Sequence, residues 1–171
     1  MRHLWSPWRM EYILEKKKKG CLFCSMLAEK EDEKNLILYR GKYSIVIMNK
    51  FPYNNGHLML IPKRHSGGLD ELGDKELRDL FCLLRKSTLI LKTILGPQGF
   101  NIGINIGKAG GAGEEHLHFH IVPRWAGDTN FMSVLGETRV IPEYLRMTYN
   151  RLHSDFKNIS GQKRRKGGRE G

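Results

Sequence analysis

Along most of the chain, apolar residues either alternate with polar ones or gather in short blocks. Leu36–Tyr39 and Tyr43–Met48 read as two strands joined by Arg40-Gly41-Lys42. Phe51-Pro52-Tyr53-Asn54-Asn55-Gly56 reads as a turn, and His57–Ile61 as a third strand stopped by Pro62. Over Leu69–Leu95 the period changes. Leu77, Leu80, Phe81, Leu84, Leu91 and Leu95 recur at three- and four-residue steps, which predicts a long amphipathic helix. Asp70 or Asp74 can cap its start, and Gly96-Pro97 ends it. Phe100–Ile106 alternates as a strand, Gly107–Gly113 is a flexible loop, and His116–Val122 is a strand ended by Pro123. Cys21–Lys34 reads as a loop with a short helix. Pro142 suits the first turn of a last helix running through Leu145, Leu152 and Phe156. The sum is an α+β architecture: an antiparallel sheet of about five strands, one long helix and a C-terminal helix.

Composition bounds this picture. With 171 residues, 40% of them hydrophobic, one sizeable core is expected. We divide the chain into an aromatic and basic extension (1–20), a folded domain (21–156) and a basic tail (157–171). The chain carries 29 Lys+Arg against 18 Asp+Glu, a net +11. Lys163–Lys166 concentrate part of that excess, and a solvated tail is expected there rather than a nucleic-acid contact. Apolar runs such as Leu58-Met59-Leu60-Ile61 are far shorter than the ~20 residues of a membrane-spanning helix. Arg9, Glu11 and Lys16–Lys19 interrupt any apolar stretch near residue 1. Three cysteines with no secretory signal argue against a disulfide framework, so a reducing cytoplasm is expected. Cys82, in an apolar helical run, is expected to be a small buried hydrophobe.

The string that carries chemistry is His116-Leu117-His118-Phe119-His120-Ile121-Val122. On a strand the side chains alternate faces, so His116, His118 and His120 point one way, roughly 6.6–6.8 Å apart. Leu117, Phe119 and Ile121 point the other way, toward a core. In the preceding loop, Gly107-Lys108-Ala109-Gly110-Gly111-Ala112-Gly113, glycines let backbone N–H groups approach phosphate oxygens. A row of imidazoles beside such a loop suits phosphoryl chemistry, because neutral imidazole is a nucleophile near pH 7 and its P–N bond is labile. The same row could instead hold a catalytic zinc with Glu114 on its face. The residue types alone leave both open.

These residues resemble the histidine triad (HIT) superfamily of nucleotide hydrolases and transferases. The resemblance also includes Asn49-Lys50-Phe51-Pro52-Tyr53-Asn54-Asn55-Gly56-His57-Leu58, Pro62-Lys63-Arg64-His65 and Asn105-Ile106-Gly107, and so spans about residues 21–125. It implies that His118 is the nucleophile, attacking the α-phosphorus of a nucleotide. His57 and His120 would orient it, and His116 would complete the triad. Asn49 matches a ribose-contacting position and Asn105 a polar residue near the leaving phosphate. Family members often carry Gln followed by Ser or Thr before the triad; this chain has Ala112 and Gly113. Backbone amides around Gly107, Gly111 and Gly113, or Lys108, would then hold the phosphates.

Trp5-Ser6-Pro7-Trp8-Arg9-Met10-Glu11-Tyr12 and the stretch from Pro123 to Met132 look like a bacterial branch related to diadenosine tetraphosphate phosphorylases. The resemblance implies phosphorolysis of diadenosine polyphosphates, with hydrolysis of dinucleoside polyphosphates or nucleoside phosphoramidates as the alternative. A non-catalytic nucleotide- or nucleic-acid-binding protein is the alternative of another class. Arg124, Asn130 or Lys108 would help hold an anionic substrate. A structural zinc on Cys21, Cys24, His65 and His116 is implied too, with no organic cofactor, a nucleotide substrate and a homodimer.

Overall fold

The computed structural model describes residues 20–128 and 144–158. Residues 1–19 of the extension, residues 159–171 of the tail, Asn130 and Pro142 lie outside the described residues. Helix α1 spans Leu22–Ala28, α2 Asp74–Leu95 and α3 Leu145–Asn158. The strands are β1 (Ile37–Arg40), β2 (Ser44–Met48), β3 (Leu58–Pro62), β4 (Gly99–Ile104) and β5 (Phe119–Arg124). They form one antiparallel sheet in the order β1-β2-β3-β5-β4. The α+β class, the long helix and the five strands agree with the sequence reading.

The two central strands β2 and β3 are buried throughout, and alternation sends their side chains to both faces. Val46, Met48, Leu58 and Leu60 join Leu117, Phe119 and Ile121 under α2 and α3. Ile45, Ile47, Met59 and Ile61 face the other way and pack on Phe23 of α1. Burying a side chain of this size contributes about 1.5–3 kcal/mol. His116, His118 and His120 project on the Phe23 side, so α1 rather than the long helix walls the site.

Two boundaries that bear on the site shift. Helix α2 begins after Gly73, not at Leu69, and neither Asp70 nor Asp74 is its N-cap; the Glu76 carboxylate accepts the Gly73 N–H at 3.0 Å instead. Its buried stripe is Leu80, Leu83, Ser87 and Leu91, which leaves Phe81 56% exposed and Cys82 exposed. The expectation of a buried Cys82 is therefore corrected: Cys82 lies one step off that stripe. Strand β5 starts at Phe119, so His116 and His118 precede the ladder rather than sit in it. Gly56 adopts φ +71°, and a Cβ there would collide with Leu95, which explains glycine just before His57.

Candidate active site and metal centre

In the ladder, His120 pairs with Met59 of β3 on one side and Gly103 of β4 on the other. Directly paired residues share a face. Gly103 therefore leaves the space beside His120 open, and a Cβ built there meets nothing within 4 Å. Against this face lies a cavity of about 370 Å³. Its apolar wall includes Leu22, Phe23, Met26, Ile47, Met59 and Phe51; its polar part includes Asn49, Asn105, Glu114, His118 and His120. An apolar body with a few convergent polar groups is the usual form of a small-molecule site.

Obligate donors and acceptors fix the imidazole tautomers. The Tyr53 backbone N–H donates to His57 Nδ1 at 3.0 Å, and Asn49 Nδ2 lies 3.3 Å from the same nitrogen. His57 Nδ1 is thus the acceptor and Nε2 carries the proton. His57 Nε2 donates to His120 Nδ1 at 3.0 Å, which places the His120 proton on Nε2. His118 Nδ1 lies 2.8 Å from the His116 carbonyl oxygen and must donate to it, so His118 Nε2 holds the ring's lone pair. The rings of His118 and His120 meet edge to face, 4.9 Å between centroids. Adjacent rings of the site thus offer an unprotonated nitrogen and an N–H donor.

His57 is fully buried, and its pKa is lowered from 6.5 to about 3, first by burial and then by the neighbouring His120 and His118. Burial removes water that would stabilise the imidazolium, and like charges add to the cost. The ring therefore stays neutral and keeps its donor and acceptor sides distinct.

His116 stands apart from this chain. Its Nδ1 is 3.3 Å from Cys21 Sγ and 3.6 Å from Cys24 Sγ, while Nε2 donates to the Pro62 carbonyl at 2.9 Å. Burial is the main cause that lowers its pKa. Cys24 Sγ is 3.5 Å from His65 Nδ1. All four donor atoms lie within 4.8 Å of one another. A tetrahedral zinc with Zn–S of about 2.3 Å and Zn–N of about 2.0–2.1 Å separates sulfur from nitrogen by about 3.6 Å. The three S···N distances match that edge. The Pro62 bond also presents the His116 Nδ1 lone pair to the thiols, the outer-sphere support a zinc-bound imidazole requires. The donor set therefore fits a closed Cys2His2 zinc.

The remaining sequence candidates divide. Asn49, Asn105, Gly111 and Gly113 line the cavity. Gly107 and Lys108 do not; Gly107 turns the loop at φ +70° and accepts from the Gly110 and Ala112 N–H groups, and Lys108 is exposed. Arg124 is drawn away from any anion: it bonds Asp128 through Nε and Nη2, both at 2.6 Å, and Asn101 through Nη1 at 2.8 Å. Glu114, the carboxylate expected on the histidine face, lines the cavity. Sequence reading did not single out Phe23 and gave Tyr53 no role of its own. Phe23 lies between the two thiols in sequence, and its ring stands 5.2 Å from that of His118. Its place inside the Cys21-to-Cys24 spacing was the available signal.

Comparison with known proteins adds the following. The HIT domain family model matches residues 29–127. The chain is 38% identical over 165 residues to the AP-4-A phosphorylase of Mycobacterium tuberculosis, covering 91% of this chain and 85% of that protein. It is 36% identical over 92 residues to an asymmetrical bis(5'-nucleosyl)-tetraphosphatase of Schizosaccharomyces pombe, covering 54% of this chain and 50% of that one. Among solved structures, a zinc-bound histidine triad family protein from Mycobacterium smegmatis superposes with a TM-score of 0.67 at 24% identity, covering 84% of this chain and 97% of that one.

Proposed function

The chain belongs to the HIT domain family, and on that premise we propose that it is a nucleotidyl transferase working through a covalent bond to His118. The His118 Nε2 lone pair attacks the α-phosphorus of a dinucleoside polyphosphate. The P–O bond to the rest of the polyphosphate breaks, and the His120 Nε2 proton goes to the departing oxygen. The nucleotidyl group is left on nitrogen. An oxygen of inorganic phosphate then attacks the same phosphorus, the P–N bond breaks, and a nucleoside diphosphate departs. The observation that carries this reading is the hydrogen bond from His118 Nδ1 to the His116 carbonyl, which leaves the nucleophilic nitrogen without a proton.

The preferred substrate is a diadenosine polyphosphate. The similarity to the mycobacterial phosphorylase supports this, because it extends over 91% of the chain, well beyond the triad segment. The cavity supports it as well: the aromatic and aliphatic wall from α1 and β2 suits a purine face, and Asn49 on the cavity lining would contact a ribose. Incubating the protein with diadenosine tetraphosphate, with and without phosphate, tests the acceptor. Phosphorolysis gives ATP and ADP only when phosphate is present. AMP formed without phosphate would mean that water discharges the intermediate, the tetraphosphatase alternative.

Cys21, Cys24, His65 and His116 would hold a structural zinc, which when bound ties the α1 wall to the segment leading into β5. The catalytic unit would be residues 21–156. A homodimer through α2 and the β4 edge is supported by the exposure of Phe81 (56%), Leu89 (58%) and Ile102 (46%). No helix among the described residues is long and apolar enough to cross a membrane. A cytoplasmic location is proposed on the odd number of cysteines, which argues against a disulfide framework.

A further inference from the structure

The turn Arg124-Trp125-Ala126-Gly127-Asp128 takes no part in the chemistry above, yet it is heavily bonded. The Asp128 side chain is only 11% exposed. Arg124 grips it with two parallel hydrogen bonds, and the Trp125 N–H donates to Oδ2 at 3.1 Å. Asn54 Nδ2 donates to the same oxygen at 2.8 Å, from 74 residues away in sequence, and to the Pro123 carbonyl at 3.1 Å. A shielded carboxylate needs partners of this kind. The Asn54 contact does more than satisfy it.

Asn54 sits between the groups that set the His57 tautomer. The preceding residue, Tyr53, supplies the N–H that donates to His57 Nδ1, and its ring lies 4.8 Å from the His57 ring. Asn54's own carbonyl accepts the His57 backbone N–H at 3.2 Å and closes the turn. Whatever anchors the Asn54 side chain therefore anchors the Tyr53 donor.

We propose that Asp128 is a positioning residue for the transfer: through Asn54 it holds the Tyr53–His57 turn in the geometry that keeps the His57 proton on Nε2. The proposal rests on the roles given above to His118 and His120. Without the Asp128 carboxylate, Asn54 keeps its bonds to the Pro123 carbonyl and the Asn55 N–H but loses its 2.8 Å partner; the hold of the Tyr53 N–H on Nδ1 weakens, and the two His57 tautomers approach each other in energy. In the second tautomer His57 Nε2 becomes an acceptor, His120 turns its proton onto Nδ1, and its Nε2 has no proton for the departing oxygen.

The test compares Asp128→Ala, Asn54→Ala and the double variant of the full chain. Asn54→Ala leaves the Arg124–Asp128 pair in place but also removes the Asn54 Oδ1 that accepts the Asn55 N–H at 3.0 Å; Asp128→Ala cuts the link and keeps that bond. Nitrogen-15 shifts of the imidazoles, recorded without substrate, report the tautomers. The expected result is a single His57 tautomer in the wild type and shifts displaced toward averaging in both single variants. With diadenosine tetraphosphate, kcat is expected to fall about ten- to a hundredfold with KM nearly unchanged. The double variant should be no slower than the slower single one, because both act on one link. Unchanged His57 shifts in both single variants would overturn the proposal, whatever happens to activity or melting. A wild-type protein that never acquires a nucleotidyl group would defeat the reading of His118 instead. The substrate-free spectrum keeps the two results separate.

Discussion

His57 Nε2 lies 3.0 Å from His120 Nδ1, and the neighbours on either side assign the proton between them to His57. The Tyr53 N–H occupies the far nitrogen of His57, so its polarity passes through one ring into the next. His118 has the opposite arrangement, with its proton spent on the His116 carbonyl and its lone pair kept. The two rings share a sheet face but receive different roles from their bonds.

His57 couples stability to pH. Its folded pKa of about 3 lies below the ordinary 6.5, so the unfolded chain binds the proton more readily. The stability it contributes is complete above pH 6.5 and is lost as pH falls from 6.5 toward 3. The slope approaches about 1.4 kcal/mol per pH unit. Urea unfolding of wild type and His57→Phe at several pH values checks this. The wild type should lose stability faster than the variant across that window, and parallel curves would contradict the assignment.

Gly103 matters for what it lacks. It pairs with His120 across the ladder and has open space where a side chain would stand. Gly103→Val should fold normally, because a β-branched residue suits a strand. It should weaken turnover at least about tenfold by filling the space beside His120. Thermal melting and steady-state rates give the two readings, and a variant with full activity would show that substrate does not use that space.

Cys24→Ser removes one of four clustered donors. Metal analysis should find about one zinc per wild-type chain and much less in the variant. The melting temperature should fall by about 5–10 °C. Because Phe23 and Met26 line the cavity from the helix that begins at this cluster, affinity for AMP should fall as well. Retained zinc in the variant would remove Cys24 from the ligand set.

Much of this was legible before any coordinates. Short apolar blocks bounded by turn residues located β2 and β3, and period-two alternation over His116–Val122 placed His118 and His120 opposite Leu117, Phe119 and Ile121. The capping glycine of α2, Gly96, was evident from the change in pattern. What local sequence does not encode is which distant group a side chain meets. His116 has the same spacing as its strand-mates, yet Cys21 and Pro62 engage its two ring nitrogens. Arg124 reads as an anion ligand until Asp128 is found beside it, with Asn54 bonded to the same carboxylate across 74 residues. Cys82 failed for a simpler reason: its apolar neighbours include the outward-facing Phe81, so local hydrophobicity misreports the buried stripe.

The central claim is a bond between His118 and phosphorus, and trapping it is the most direct test. Protein mixed with radiolabelled diadenosine tetraphosphate in the absence of phosphate, quenched under alkaline conditions and digested, should yield one adenylylated peptide, the one containing His118. Added phosphate should discharge the label as ADP, and His118→Ala should bind nucleotide without acquiring label. Turnover that persists in His118→Ala, or label found on another residue, would contradict the claim.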